Sequence, residues 1–199
     1  MKFLAATNNS HKIIEFRGIL GPLGIEFIPP ADIGGIPEAD ETGSTFEENA
    51  GIKALEAAKF ANMQAFADDS GLEIEALDNA PGIYSARYAD DNDGRIARVL
   101  RELKEIEERT GVVNRNARFV CVIAFAAPEK VFATFRGEVY GKILDASKGK
   151  GGFGYDPVFM PDGYDMTFAE LPAETKDKIS HRGNALNKAK EFFLKELEA

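Results

Sequence analysis

Lys2-Phe3-Leu4-Ala5-Ala6-Thr7-Asn8-Asn9-Ser10-His11-Lys12 carries four consecutive apolar residues into a polar loop and then into a helix start. Residues 2–6 have the length and composition of a short buried strand, and a helix follows over about 11–20 because Ile13, Phe16 and Leu20 recur on one face. The chain thus opens as strand, loop, helix. Glu26-Phe27-Ile28 predicts a second strand, and the Pro-, Gly- and Asp-rich residues 29–44 an irregular loop. Thr45 and Glu48 stand in capping-box spacing ahead of a helix reaching about Asn62, whose Ala50, Ala54, Ala57 and Ala61 form a small-residue stripe suited to close packing. Ala65-Phe66-Ala67 predicts a buried strand, Asp68-Asp69-Ser70-Gly71 an acidic turn, and 72–76 a half-exposed strand in which Leu72, Ile74 and Ala76 alternate with Glu73 and Glu75. Ile96, Val99, Leu100, Leu103 and Ile106 mark a helix that Gly111 ends. Residues 117–127 and 131–139 flank Pro128-Glu129-Lys130 as an antiparallel hairpin, and an amphipathic helix from about 181 turns Leu186, Ala189, Phe193 and Leu197 inward. Helices alternating with strands, plus one hairpin, give an α/β fold with a mixed sheet.

Length and charge narrow the function. The 199 residues and 44% hydrophobic content suit a single domain, 1–199, with two lobes sharing one core, and no linker, repeat or low-complexity tract interrupts it. Twenty-four Lys and Arg against 33 Asp and Glu leave a net charge of −9, which repels nucleic acid and anionic membrane surfaces. An anionic ligand must therefore meet a local basic site or a metal. Cys121, the one cysteine, lies in an apolar run, which excludes an intrachain disulfide and a Cys-based zinc site. The opening residues are too short for a signal segment and no window is apolar enough to span a membrane, so a cytoplasmic protein is expected.

Four clusters carry candidate chemistry. Thr7, Asn8, Asn9, Ser10, His11 and Lys12 sit where a strand hands over to a helix, so backbone N–H groups, the positive end of the helix dipole and the Lys12 charge suit a phosphate; an ordinary capped helix start explains the same residues. Asp68 and Asp69 repel each other unless a cation or a donor holds them, and Asp40-Glu41 lies in a loop able to reach them. One or two carboxylates with waters and substrate phosphates are what Mg²⁺ takes, whereas an acidic turn and a solvated acidic loop are the plain alternatives. Gly149-Lys150-Gly151-Gly152-Phe153-Gly154 matches G-x-G-x-x-G literally, but it runs into Tyr155-Asp156-Pro157 and not into a helix, which rejects a dinucleotide turn. A flexible loop remains, or a backbone close to a ligand with Phe153 and Tyr155 as stacking faces. Lys176, His181 and Arg182 cluster at the start of the last helix, where positive charge opposes the dipole unless an anionic or electron-rich ligand, or solvent, compensates.

Taken together these stretches resemble the inosine triphosphate pyrophosphatase family, the noncanonical purine nucleoside triphosphate pyrophosphatases. The resemblance spans almost the whole chain: Thr7 to Lys12, Glu41 to Ala50, Asp68 to Leu72, Pro81 to Tyr88, Gly152 to Pro157 and Ile179 to Arg182 appear in the family's order. It implies an elongated mixed sheet with flanking helices, two lobes around a central cleft, a homodimer, and hydrolysis of ITP, dITP and XTP to the monophosphate and pyrophosphate. Carried over by position, Thr7 to Lys12 hold phosphates, Asp69 is general base and metal-site residue, and Ser70 touches substrate. Phe153, Gly154, Tyr155, Asp156, Lys176, His181 and Arg182 form the base and sugar pocket, and Mg²⁺, with Mn²⁺ as substitute, is held by Asp69 with Asp40 or Glu41. Asp40 stands where the family's metal-linked Glu is expected, which leaves open which acid reaches the metal; Asp90 stands where a Gly is common. A related pyrophosphatase for other modified nucleotides, or a regulator that binds nucleotide without turnover, remain the rival readings.

Overall fold

The computed structural model describes residues 1–198, with the side chains of Ser10 and His11 outside the description. Eleven elements follow in order: β1 Lys2–Ala5, α1 Ser10–Leu20, β2 Glu26–Ile28, α2 Phe46–Ala61, β3 Ala65–Ile74, α3 Asn92–Thr110, β4 Asn116–Ala127, β5 Lys130–Ile143, β6 Phe159–Pro161, α4 Ala173–Ile179 and α5 His181–Glu198. The strands form one six-stranded sheet in the order β2-β1-β3-β4-β5-β6. β1 pairs parallel with both β2 and β3, while β5 and β6 are antiparallel. A two-residue turn between β4 and β5 permits only antiparallel pairing there. The expected α/β class with a mixed sheet is what forms.

The chain divides into two compact units: Met1–Asp69, Cys121–Gly137 and Arg182–Ala199 in one, Ser70–Val120 and Glu138–His181 in the other. Each has an apolar cluster. In the first, Ile13, Phe16 and Leu20 of α1 and Leu186, Ala189 and Phe193 of α5 meet Phe3, Phe66, Cys121 and Phe125 from β1, β3 and β4. Ala5 is paired with Phe66, so Phe3, two residues before Ala5, lies on the same face of the sheet as Phe66. The opposite face, with Leu4, Ala65 and Ala67, receives α2 through buried Ala50, Ala54, Ala57 and Ala58, small enough to let helix and sheet approach. In the second unit, Ile96, Val99 and Leu103 of α3 pack with Leu72, Phe119, Phe159 and Phe168. Among the described residues no helix is long and apolar enough to cross a membrane.

Three expectations need correction. Asp68-Asp69-Ser70-Gly71 is no turn: β3 runs unbroken from Ala65 to Ile74, and Glu75–Leu77 form a helical turn instead of prolonging a strand to Ala76. The repulsion between the two carboxylates is relieved by cations, described below. Leu197 does not join the buried face of α5; it is 54% exposed, one turn beyond Phe193 where the helix outruns the sheet cluster. Finally, Lys176 lies in the last turn of a separate helix, α4, where a cation complements the dipole.

Candidate active site

Strand alternation governs the acidic pair. Neighbouring residues of β3 point to opposite faces, so Asp68 turns toward α1 and α5 while Asp69 turns toward α2. Asp68 is buried between Lys12 of α1, 2.9 Å away, and Arg182 of α5, whose Nη2 lies 3.3 Å from Oδ2. Arg182 is itself only 4% exposed and donates from Nη1 to Glu15 at 2.9 Å. Burial alone would push the Asp68 carboxyl up, but Lys12 and Arg182 outweigh it and hold the group well below the usual carboxylate range.

Asp69 has a different environment. Its Oδ1 accepts from Lys53 Nζ of α2 at 2.8 Å, and the same ammonium lies 2.7 Å from Glu41 Oε1. Oδ2 is buried with no hydrogen-bonding partner among the described residues. Burial, the largest influence, raises the Asp69 pKa; Lys53 opposes it, the Glu41 and Asp68 charges push upward with burial, and the net shift is up. For Lys53, burial pulls down but Asp69 and then Glu41 hold the ammonium charged, with its pKa raised. One strand thus presents a locked carboxylate on one face and, on the other, a buried carboxylate with an oxygen to spare. The second is the one equipped to take a proton.

Glu41 is delivered by the turn that starts α2. Thr45 caps the helix by accepting from the Glu48 N–H at 3.1 Å, while Glu48 reaches back to the Ser44 N–H at 2.6 Å. Gly43 N–H donates to Asn49, a fully buried side chain, and a Cβ at Gly43 would come within 2.6 Å of both Asn49 Oδ1 and Glu48 Cβ. The segment is therefore pinned to the helix that carries Lys53. Asp40, beside it, is exposed.

At the opening of α1, Asn9 acts as the cap. Its Oδ1 accepts from the Lys12 N–H at 3.4 Å, and Thr7 Oγ1 accepts from the Asn9 N–H at 3.1 Å. Asn8 is exposed, Thr7 half-buried and Ser70 half-buried, while Ser10 and His11 lie outside the described side chains.

The glycine loop and α4 belong to the second unit. Asp156 is buried and its Oδ2 accepts from the Phe153 N–H at 2.7 Å and from Lys176 Nζ. Lys176 Nζ also sits 4.9 Å from the centre of the Phe153 ring, a cation–π contact. Gly152 has φ +72°, and a Cβ there would lie 2.1 Å from Asp156 Oδ2, so the glycine makes room for that carboxylate. Gly149 and Gly151 press against the backbone of Ala169, so their lack of side chains serves the chain's own packing. Tyr155, expected as a stacking face, is instead a core residue donating its hydroxyl to the Ser85 carbonyl at 2.9 Å. Phe153, 48% exposed, keeps an open ring. His181 is buried with its ring stacked on Phe119 at 4.9 Å. The basic cluster of Lys176 and Arg182 is balanced by the protein's own carboxylates, Asp156, Asp68 and Glu15, where the sequence suggested a ligand or solvent.

Lys53 and Glu15 were not among the residues singled out in the sequence. Lys53 had left a signal: Ala50, Lys53, Ala54 and Ala57 follow the i, i+3, i+4, i+7 pattern of a buried face, and a charge there must be paired. Glu15 lies off the apolar face of α1 and left none.

Among the described residues no three His, Cys, Asp or Glu side chains converge as a ready metal cluster. Glu41 and Asp69 do converge on one cationic point, the Lys53 ammonium, with a spare Asp69 oxygen beside it. Two hard oxygen donors fit Mg²⁺, which draws its remaining ligands from water and phosphate.

The chain is similar to known proteins over nearly its whole length. A protein from Brucella melitensis called dITP/XTP pyrophosphatase is 44% identical over 197 residues, covering 92% of this chain and 89% of its own. One of the same name from Bacillus subtilis is 46% identical over 188 residues, covering 93% of each. Among solved structures, a HAM1 protein from Coxiella burnetii superposes with a TM-score of 0.90 at 40% identity, covering 98% of this chain and 99% of that one. The Ham1 protein of Staphylococcus aureus gives 0.88 at 41%, covering 98% and 100%. A model of the Ham1 family matches residues 3–192, nearly the whole chain, and the chain belongs to the Ham1 family.

Proposed function

We infer that this protein hydrolyses noncanonical purine nucleoside triphosphates, ITP, dITP and XTP, to the monophosphate and pyrophosphate. The observation that carries the reading is Asp69: buried, of raised pKa, one oxygen tied to Lys53 and the other without a partner, in a chain whose relatives are named dITP/XTP pyrophosphatases. A general base for attack by water needs a carboxylate of that kind, desolvated and with a lone pair to spare. Mg²⁺, with Mn²⁺ as substitute, would be held by Asp69 and Glu41, and would neutralise charge on the leaving pyrophosphate. Asp40, exposed next to Glu41, is the lesser candidate.

The triphosphate is assigned to Thr7, Asn8, Asn9, Ser10, His11, Lys12 and Ser70. Base and sugar are assigned to Phe153, Gly154, Tyr155, Asp156, Lys176 and His181, with Phe153 as the stacking face and Asp156 and Lys176 setting its position. Arg182, with Nη1 on Glu15 and Nε and Nη2 on Asp68, supports the strand that presents Asp69. A 6-oxo purine is preferred over adenine when donors face O6, because adenine's amino group leaves such donors unpaired. The protein acts as a homodimer in the cytoplasm.

Pyrophosphate release from ITP, dITP, XTP, GTP and ATP, with Mg²⁺ and with excess EDTA, tests this reading. Release from the first three with Mg²⁺ is expected, together with a loss of about 10²-fold or more in Asp69→Asn. Binding without release makes the protein a regulator; preference for another nucleotide makes it a related pyrophosphatase; full activity in EDTA removes the metal.

A further inference from the structure

Asn49, near the start of α2, is fully buried, yet only half of its carboxamide is satisfied. Oδ1 accepts from the Gly43 N–H at 2.9 Å. That neighbour can only donate, so the amide cannot be turned round, and Nδ2 is fixed as the atom on the other side. Nδ2 is buried and meets no acceptor among the described residues. Asp69 Oδ2 is short of a partner in the complementary sense, a buried acceptor without a donor. Both atoms belong to the layer between α2 and β3. Asn49 stands one turn before Lys53 on the same helix face, and the preceding loop is pinned along that face, Gly43 to Asn49 and Glu41 to Lys53. Lys53 Nζ in turn donates to Asp69 Oδ1 at 2.8 Å. A buried donor and a buried acceptor left unmet are each costly. The smallest group that satisfies the two at once is a water molecule, which accepts from one and donates to the other.

We propose that Asn49 and Asp69 hold the attacking water between them, and that Asn49 is the group that aims it: Nδ2–H donates to the water oxygen while one water O–H donates to Asp69 Oδ2. A carboxylate alone fixes one O–H bond and lets the oxygen swing about it. A donor on that oxygen occupies one lone pair and so directs the other. An amide suits the task, because it neither competes for the water's proton nor gives up one of its own. In the hydrolytic step the water's proton passes to Asp69 Oδ2 and its oxygen bonds to the α-phosphorus. The bond from that phosphorus to the bridging oxygen breaks, and its electron pair leaves on pyrophosphate. The Gly43 N–H, by setting which way the amide faces, ties the aim of the nucleophile to the turn that carries Glu41.

This inference rests on reading Asp69 as the general base, and two measurements keep their failures apart. The first needs no variant and no turnover: a high-resolution crystal structure of the wild type without nucleotide. One ordered water is expected within ~3.2 Å of both Asn49 Nδ2 and Asp69 Oδ2. No water there, or a protein acceptor on Nδ2, overturns the proposal. The second is kinetic, on Asn49→Leu shown to be folded by circular dichroism, with ITP and saturating Mg²⁺. Saturating metal offsets any loosening of the Glu41 segment that follows from losing the Gly43 bond. The variant is expected to lose about tenfold or more in kcat with KM changed by less than about twofold. A kcat equal to that of the wild type, or a loss that vanishes as Mg²⁺ is raised, reduces Asn49 to an anchor for Gly43 and overturns the proposal. Asp69→Asn in the same assay reports on the base itself: its inactivity beside a fully active Asn49→Leu sinks only the role of Asn49, whereas its full activity sinks the reading of Asp69.

Discussion

Asp68 and Asp69 are adjacent carboxylates with opposite electrostatic fates, and the cause is which neighbours each meets. Asp68 meets two cations that overcome its burial; Asp69 shares a single ammonium with Glu41. The Asp68 pair has a consequence for acid stability. Because its folded-state pKa is depressed, the unfolded chain takes up the proton first as pH falls, so the stabilisation is complete above the ordinary aspartate value of ~3.9 and drains away below it. Asp68→Asn is expected to cost about 3–5 kcal/mol at pH 7, since it leaves Arg182 and Lys12 without a buried counter-charge. It should also flatten the loss of stability below about pH 4. Urea unfolding of both proteins between pH 3 and 7 measures the two effects together.

Among elements, the N-terminal turn of α2 has the most specific task. It is an ordinary capping box by composition, yet the side chain that fixes Gly43 is the buried Asn49 of the same helix, and Glu41 precedes it by two residues. Gly43→Ala drives a methyl group into Asn49 and Glu48 and displaces the segment that carries Glu41. Turnover should fall by about tenfold or more, while the melting temperature drops by only a few degrees for a cost of about 1–2 kcal/mol, because the helix keeps its Thr45 cap. Calorimetry with a kinetic run on ITP checks both. The helices were legible in the sequence because their apolar positions recur and their ends are punctuated: Thr45 starts α2, Gly111 stops α3. β3 was misread because alternation and charge, taken locally, make Asp-Asp-Ser-Gly a turn. What keeps it extended comes from residues far off in the chain, Lys12, Lys53 and Arg182, and no local pattern reports them. The acidic residues of the site were visible as such, while the lysine between them showed only as a charge on the buried face of α2.

For the whole molecule, net charge enters the argument. Two copies each carrying −9 repel at long range, so a homodimer must be held by contacts at close quarters, and added salt screens only the repulsion. Light scattering is expected to give about twice the 21.7 kDa chain mass, with a dimer that is as tight or tighter at 0.5 M salt than at ~0.05 M. A single-chain mass at both salts would remove the dimer. The division into two units has a different consequence. One is assembled from three separated stretches of chain and the other from two, and the boundaries fall inside β3, β4 and β5 and just after the first residue of α5. Neither unit is a contiguous stretch of gene. No single truncation yields one without the other, neither can be borrowed by another protein as a cassette, and a ribosome makes the last residue of the second before α5, which completes the first, has emerged.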